Sequence, residues 1–363
     1  MIIGIDGNEA NVRERVGVSV YAYNLLKFFR RKADRQTQFR VYLRNAPYDL
    51  PEETDYFKYR VVPGNLLWSQ IFLPLRLYQD RDIDVFFSPA HYLPRFCPAP
   101  GVVTIHDLSY LYFPEDFLKK DLFQLKNWTA YSLKKAVKVI AVSKTTKKDI
   151  VKSYGLPQEK ISVVYNGYEK KLDEKSKKFK FDLEEKPYIL YVGTIQPRKN
   201  ITTLIQAFFK FKQLYPEFQL IIAGKKGWLY DDIFQKVTDL GLERDVFFTD
   251  YITDNQLIFL YKNAFCLVLP SFYEGFGIPV LEAMNLDCPV IASYASSLPE
   301  IGGDACLYFD PKNSYDLVEK LKLMKEDKQL VKDLVNKGKK RIKEFSWEKC
   351  GEETLQVIKG SVL

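Results

Sequence analysis

Short apolar runs alternate along the chain with longer stretches in which apolar residues recur every three or four positions. The short runs predict strands and the longer stretches predict helices. In the first half the predicted strands are 2–5, 39–43, 59–62, 85–88, 102–105, 139–142 and 161–165. Helices are expected over 18–31, 65–77, 122–136 and 145–154, with Pro74 kinking or ending the second of these. The second half repeats the rhythm. Strands are predicted at 188–192, 219–222, 246–248, 265–269, 290–292 and 306–309, and helices at 201–215, 230–240, 256–263, 279–284 and from 314 onward. Between the halves, 169–186 is dense in Lys, Asp and Glu and reads as a solvated linker. Near-continuous apolar strands alternating with helices imply parallel sheets covered on both faces. The expected class is α/β, with two Rossmann-like domains facing each other across a cleft. Ligands of such sheets bind at the carboxyl ends of the strands.

Composition changes little in this picture. The chain has 363 residues, 47% hydrophobic and 28% charged, which suits two ordinary globular domains. The formal charge of +8 favours anionic partners without choosing among them. It is uneven: residues 119–160 hold eleven Lys or Arg against three Asp or Glu, either a solvated surface or a membrane-facing patch. Met1–Asp6 reads as a strand with no basic segment before it, so no signal peptide is expected. Five dispersed cysteines with no C-x-x-C argue against disulfides and zinc, and for a cytoplasmic, reducing compartment. Asp80, Asp82 and Asp84 precede a strand and read as a polar turn, not a metal site.

Three segments at predicted strand ends carry chemistry. After strand 188–192 come Gly193, Thr194, Ile195, Gln196, Pro197, Arg198, Lys199 and Asn200, then a helix. Two adjacent cations at a helix start suit an anion, Arg as a fork and Lys as a point charge. After strand 265–269 the chain runs Pro270, Ser271, Phe272, Tyr273, Glu274, Gly275, Phe276, Gly277, Ile278, Pro279, Val280, Leu281, Glu282. The glycines permit close backbone approach, Pro279 suits a first helical turn, and the two carboxylates can accept bonds from sugar or ribose hydroxyls. The third segment is Thr104, Ile105, His106, Asp107. His91 and His106 are the two histidines of the chain.

With these residues, and with Val164–Gly167, Pro289–Ser293 and Ser297–Ala305, nearly the whole chain resembles the retaining glycosyltransferases of the GT-B fold often called family 4. The nearest flavour is that of bacterial mannosyltransferases of O-antigen and polysaccharide assembly. The resemblance implies that Arg198 and Lys199 hold the donor diphosphate, that Glu282 binds the ribose, and that Glu274 contacts the donor sugar. It implies that His106 approaches the sugar from the other domain, that Gly17 lies in a loop near the phosphates, and that Tyr251 lies near the base. Thr194, Gly275, Phe276, Gly277 and Ile278 complete the expected donor site. Domains are expected over 1–168 and 187–345, with 346–363 returning to the first. Two departures stand out: Thr194 occupies a position where many relatives carry Arg, and Gly17 stands where many have a double glycine.

The implied reaction is metal-independent and uses no cofactor. A nucleotide-sugar, GDP-mannose for preference, is the donor, and a glycan or lipid-linked glycan is the acceptor. Peripheral contact with anionic membrane at the inner face is a further expectation. A nucleotide-sugar epimerase of the same architecture and a non-enzymatic sugar-binding protein stand as alternatives. No P-loop, basic helix repeat or zinc module points to nucleic acid.

Overall fold

The computed structural model describes residues 1–65, 67–168, 186–250 and 252–362. The chain divides into two compact units, Met1–Gly167 with Phe345–Leu363, and Tyr168–Glu344. The expected linker, apart from Lys186, lies outside the described residues.

Among the described residues the first unit holds a seven-stranded parallel sheet, in the order β3-β2-β1-β4-β5-β6-β7. The strands are β1 Ile2–Asp6, β2 Gln38–Leu43, β3 Phe57–Val61, β4 Val85–Ser88, β5 Gly101–Ile105, β6 Lys138–Ala141 and β7 Ile161–Val163. β4 and β5 are buried at every position, as strands covered on both faces must be. Ile3 pairs with Phe39 of β2 on one side and Val85 of β4 on the other. The strand order reverses there, which opens a crevice at the carboxyl ends of β1 and β4.

Two hydrophobic clusters cover this sheet. One gathers Tyr21, Leu25, Phe28 and Phe29 of helix Val18–Lys32 with Cys350, Leu355 and Ile358 of helix Trp347–Lys359. Gly351 permits that contact, since a Cβ there would stand 2.3 Å from Phe28 Cγ. The other cluster takes Trp68, Leu73 and Leu77 from the segment before β4, and Leu133 and Ala136 from helix Lys119–Lys135 and its end. The segment around Pro74 departs from expectation. A single 3₁₀ turn, Trp68–Gln70, precedes helix Phe72–Gln79, so Pro74 falls in the first turn of the helix. Its missing N–H has no intrahelical partner to lose there, and the helix begins around the proline instead of ending at it. The three aspartates that follow are structural: Asp80 accepts from Tyr42 Oη (2.8 Å), Asp82 takes both Arg40 Nη atoms (2.7 and 2.8 Å), and Asp84 accepts from Ile2 N (2.6 Å).

The second unit holds, among the described residues, a six-stranded parallel sheet in the order β10-β9-β8-β11-β12-β13. Its strands are β8 Tyr188–Val192, β9 Gln219–Ala223, β10 Val246–Phe248, β11 Cys266–Leu269, β12 Val290–Ser293 and β13 Cys306–Phe309. Leu190 pairs with Ile221 of β9 and Leu267 of β11, so the order reverses between β8 and β11. The helical stretch expected from 314 is two helices, Ser314–Glu326 and Lys328–Arg341. Asp327 divides them, its Oδ1 accepting from Leu330 N at 2.8 Å. No helix among the described residues is long and apolar enough to cross a membrane.

Candidate active site

The reversal between β8 and β11 brings two distant loops together. The β8 loop ends in the turn Pro197–Lys199 and leads through Asn200 into helix Ile201–Leu214. The β11 loop carries Ser271 to Gly277 into helix Ile278–Asn285. Lys199 Nζ lies 2.6 and 2.7 Å from the two oxygens of Glu274, and Ser271 Oγ donates to Oε1 at 2.7 Å. Burial alone would raise the Glu274 pKa. The charges of Lys199 and Arg198, with hydrogen bonds from Lys199 and Ser271, outweigh it and lower the pKa below the usual glutamate value. The carboxylate therefore stays ionised beside two cations.

Arg198 is braced from three sides. Its Nη1 donates to Tyr273 O at 3.2 Å, and its carbonyl accepts from Phe272 N at 3.0 Å. The Gln196 amide oxygen, oriented toward the guanidinium, accepts from Nε at 3.1 Å and Nη2 at 2.9 Å. Asn200 adopts the left-handed conformation (φ 56°) and its Nδ2 donates to Pro270 O at 3.0 Å and Pro311 O at 2.7 Å. One buried side chain thus ties the turn after β8 to the ends of β11 and β13.

The β11 loop is pinned from the other side by serines following β12. Ser296 Oγ accepts from Glu274 N at 2.8 Å, and Ser297 Oγ serves the carbonyls of Glu274 and Phe276, both at 2.9 Å. Gly277 caps the helix with φ 107°, and a Cβ there would lie 2.8 Å from Leu298 Cδ2. Ile278 opens the helix, whose first N–H groups carry the positive end of its dipole. Phe276 is buried in the core, so what it offers a ligand is backbone. Glu282 sits inside the helix, its Oε2 accepting from Tyr261 Oη at 2.9 Å. Thr194 is exposed after β8 and its carbonyl accepts from Tyr191 Oη at 3.3 Å. Tyr251 lies outside the described residues.

In the first unit, His106 follows β5 and is 8% exposed. Its Nε2 is 2.8 Å from Pro89 O, which can only accept, so Nε2 carries the hydrogen and Nδ1 is an acceptor in the neutral ring. Burial, and then the neighbouring His91, push its pKa down to about 4. The ring is neutral at pH 7 and able to take a hydrogen bond from a hydroxyl. Tyr21 meets it edge-on at 4.8 Å and bonds Thr104 Oγ1 at 3.1 Å. Gly17, exposed with φ 52°, is the N-cap of the helix that carries Tyr21. At the end of β1, burial pushes the Asp6 carboxyl up to about 6 against the bonds it takes from Asn8.

Sequence reasoning passed over Asn200, Ser271, Ser296, Ser297, Tyr261 and Asp6 as participants. Asn before a helix is a signal for a left-handed turn. Ser296 and Ser297 carry none, because their partners are backbone groups of a loop some twenty residues away.

Residues 173–341 match the family of glycosyl transferases group 1, and residues 16–171 match glycosyltransferase family 4. The O-antigen chain mannosyltransferase B of Escherichia coli is 32% identical over 313 residues, 83% of this chain and 79% of that protein. Sucrose-phosphate synthase from Thermosynechococcus elongatus superposes with a TM-score of 0.78 at 18% identity, over 99% of this chain and 98% of that one. HepE of Anabaena, solved in complex with UDP and glucose, gives 0.73 at 19% identity over 99% of both chains. The two parallel α/β sheets are those of the GT-B architecture. The chain belongs to the glycosyl transferases group 1 family and is an enzyme, a glycosyltransferase, which sets aside the epimerase and the binding protein.

Proposed function

We propose that this enzyme is a retaining, family 4 hexosyltransferase that moves mannose from GDP-mannose to a glycan or lipid-linked glycan. The setting is assembly of cell-surface polysaccharide, at the cytoplasmic face of the membrane. The observation that carries the reading is the Lys199–Glu274 pair beside Arg198 at the β8/β11 reversal. Two cations and two helix starts there suit a diphosphate, and a carboxylate held ionised among them suits a sugar that gains positive charge. The choice of mannose is supported by the name of the Escherichia coli relative. A nucleotide-sugar donor is supported by the UDP and glucose bound to HepE.

In this reading the bond between sugar C1 and the β-phosphate breaks. Arg198 and Lys199 take up the charge that grows on the leaving diphosphate, with no divalent cation required. Glu282 accepts a ribose hydroxyl, oriented by Tyr261. His106 Nδ1 accepts from a hydroxyl of the sugar. The acceptor hydroxyl attacks from the leaving-group side and its proton passes to the departing phosphate oxygen. Thermal-shift measurements with GDP, GDP-mannose, UDP and UDP-glucose test the donor: the guanine pair should stabilise the enzyme, and stabilisation by the uridine pair alone would refute GDP-mannose. Proton NMR of the first product tests the stereochemistry, because an inverted anomeric centre would exclude retention.

A further inference from the structure

The second unit holds a cavity that the proposed reaction leaves unused. Its volume is about 370 Å³, and Tyr294, Tyr308, Phe309, Asp310, Pro311 and Asp316 line it. β12 and β13 run parallel with Ser293 paired to Phe309, so the residues that follow them, Tyr294 and Asp310, leave the sheet side by side. Tyr294 N donates to Phe309 O at 2.8 Å and fixes that exit. The Tyr294 side chain is 71% exposed, and its hydroxyl bonds no described residue. Tyr308 meets its ring edge-on, with 5.7 Å between centroids and 78° between planes. Tyr308 Oη donates to Gly303 O at 2.8 Å, so what Tyr308 offers a ligand is ring surface.

Two carboxylates line the same cavity. Asp316, in the first turn of helix Ser314–Glu326, accepts from Asp310 N through Oδ2 at 2.9 Å and pairs with Lys320 through Oδ1 at 3.3 Å. Asp310 Oδ1 accepts from Lys312 N at 2.9 Å, while its Oδ2 takes no bond from any described residue. That oxygen is an open acceptor on a fixed backbone. A tyrosine face open to solvent beside such an oxygen gives the two contacts a pyranose needs. Its C–H face stacks on the ring, and its hydroxyls donate to the carboxylate. A lining with two carboxylates and neither Lys nor Arg opposes a phosphate or an acidic sugar. The ligand class is therefore a neutral saccharide. The cavity is also tied to the loops that hold Glu274 and Lys199. Ser296, two residues after Tyr294, accepts from Glu274 N at 2.8 Å, and Pro311 O accepts from Asn200 Nδ2 at 2.7 Å.

We infer that this cavity is a second saccharide subsite, in which Tyr294 stacks on a hexose while Asp310 and Asp316 accept from its hydroxyls. It holds a glycan chain through a residue other than the sugar that reacts. That the chain is the growing glycan rests on the proposed acceptor; the cavity and its chemistry do not. A chain held there raises the local concentration of its own end for the next transfer.

Saturation-transfer NMR and calorimetric titration of the full chain test it, with α-mannotetraose and maltotetraose as probes, each with and without GDP. Wild-type protein should bind a tetrasaccharide, and GDP should not displace it. Tyr294→Ala and Asp310→Ala should each weaken that binding about tenfold. Tyr294→Phe keeps the ring and should bind like wild type. Tyr315→Ala removes a tyrosine, 68% exposed, that adjoins Asp316 in sequence but is not part of the lining, and should also bind like wild type. Circular dichroism confirms that each variant is folded. Binding of maltotetraose alone, with the same variant pattern, would support the subsite and contradict mannose as the transferred sugar. No effect of GDP on the melting temperature, with the saccharide pattern intact, would defeat the donor reading and leave the subsite standing. Failure of the wild type to bind either probe would overturn the proposal, as would equal binding in all four variants. So would displacement of the saccharide by GDP with no sensitivity to Tyr294→Ala, which would put the sugar in the donor site.

Discussion

Lys199 Nζ bonds both carboxylate oxygens of Glu274, a residue 75 positions further along the chain. The two side chains are only 14% and 12% exposed. Removing one partner leaves the other charge poorly solvated. Lys199→Met should therefore lower stability by about 3 kcal/mol, the low end for a broken buried pair, and abolish measurable transfer. Glu274→Gln keeps the shape and should cost less stability while losing about 100-fold or more in kcat. Thermal melts and initial rates on both variants check the split. Equal stability losses would contradict it.

Acid should weaken the second unit through the same pair. The folded pKa of Glu274 is lowered, so its contribution is fully present above the unfolded value of 4.5 and is lost as pH falls through the folded one. Denaturation profiles should show a steeper loss below pH 4.5 in wild type than in Glu274→Gln.

His106 produces a separate acid limb in the first unit. Its pKa falls from 6.5 unfolded to about 4 folded, so stability present above pH 6.5 is lost as pH drops toward 4. By linkage the loss approaches about 3 kcal/mol. His106→Asn should flatten the stability profile across that window. NMR should find the wild-type ring neutral at pH 7, with its proton on Nε2. A charged ring at that pH would remove the acceptor role assigned to Nδ1.

Asn200 combines a left-handed backbone with two donated hydrogen bonds. Asn200→Asp retains the backbone preference but sets a carboxylate against two carbonyl oxygens. It should cost about 2–3 kcal/mol and weaken donor binding by loosening Lys199. Asn200→Gly, which removes the repulsion, should be milder in both melting temperature and KM.

Gly277→Ala places a Cβ against Leu298 at a positive φ. A loss of about 1–3 kcal/mol is expected, with a raised KM for the donor. Ala at Gly241, where a Cβ meets no atom within 4 Å, is the control for conformational strain without a clash.

The α/β alternation was legible because strands such as Val85–Ser88 and Gly101–Ile105 are buried throughout and read as unbroken apolar runs. The neighbourhood of Arg198, Lys199 and Glu274 was legible because all three follow strands, and strand ends at an order reversal converge. Pro74 misled because its effect depends on where the helix starts, and Trp68 and Leu73 supply that information only once packed. The Ser296 and Ser297 contacts were illegible for a related reason. A hydroxyl that bonds a backbone group of another loop leaves no periodicity and no charge pattern. Asp6 was read only as a strand residue, and its raised pKa arises from burial at the end of β1.

Helix Trp347–Lys359 supplies Cys350, Leu355 and Ile358 to the first unit's core, although the whole second unit is made before it. A growing chain therefore reaches the end of β7 with Phe28 and its neighbours still uncovered, and must carry that face through synthesis of the next 180 or so residues. The second unit is continuous in sequence and can close first. The order of maturation is thus the reverse of the order of translation, and premature termination before Phe345 would leave the first unit the more aggregation-prone half.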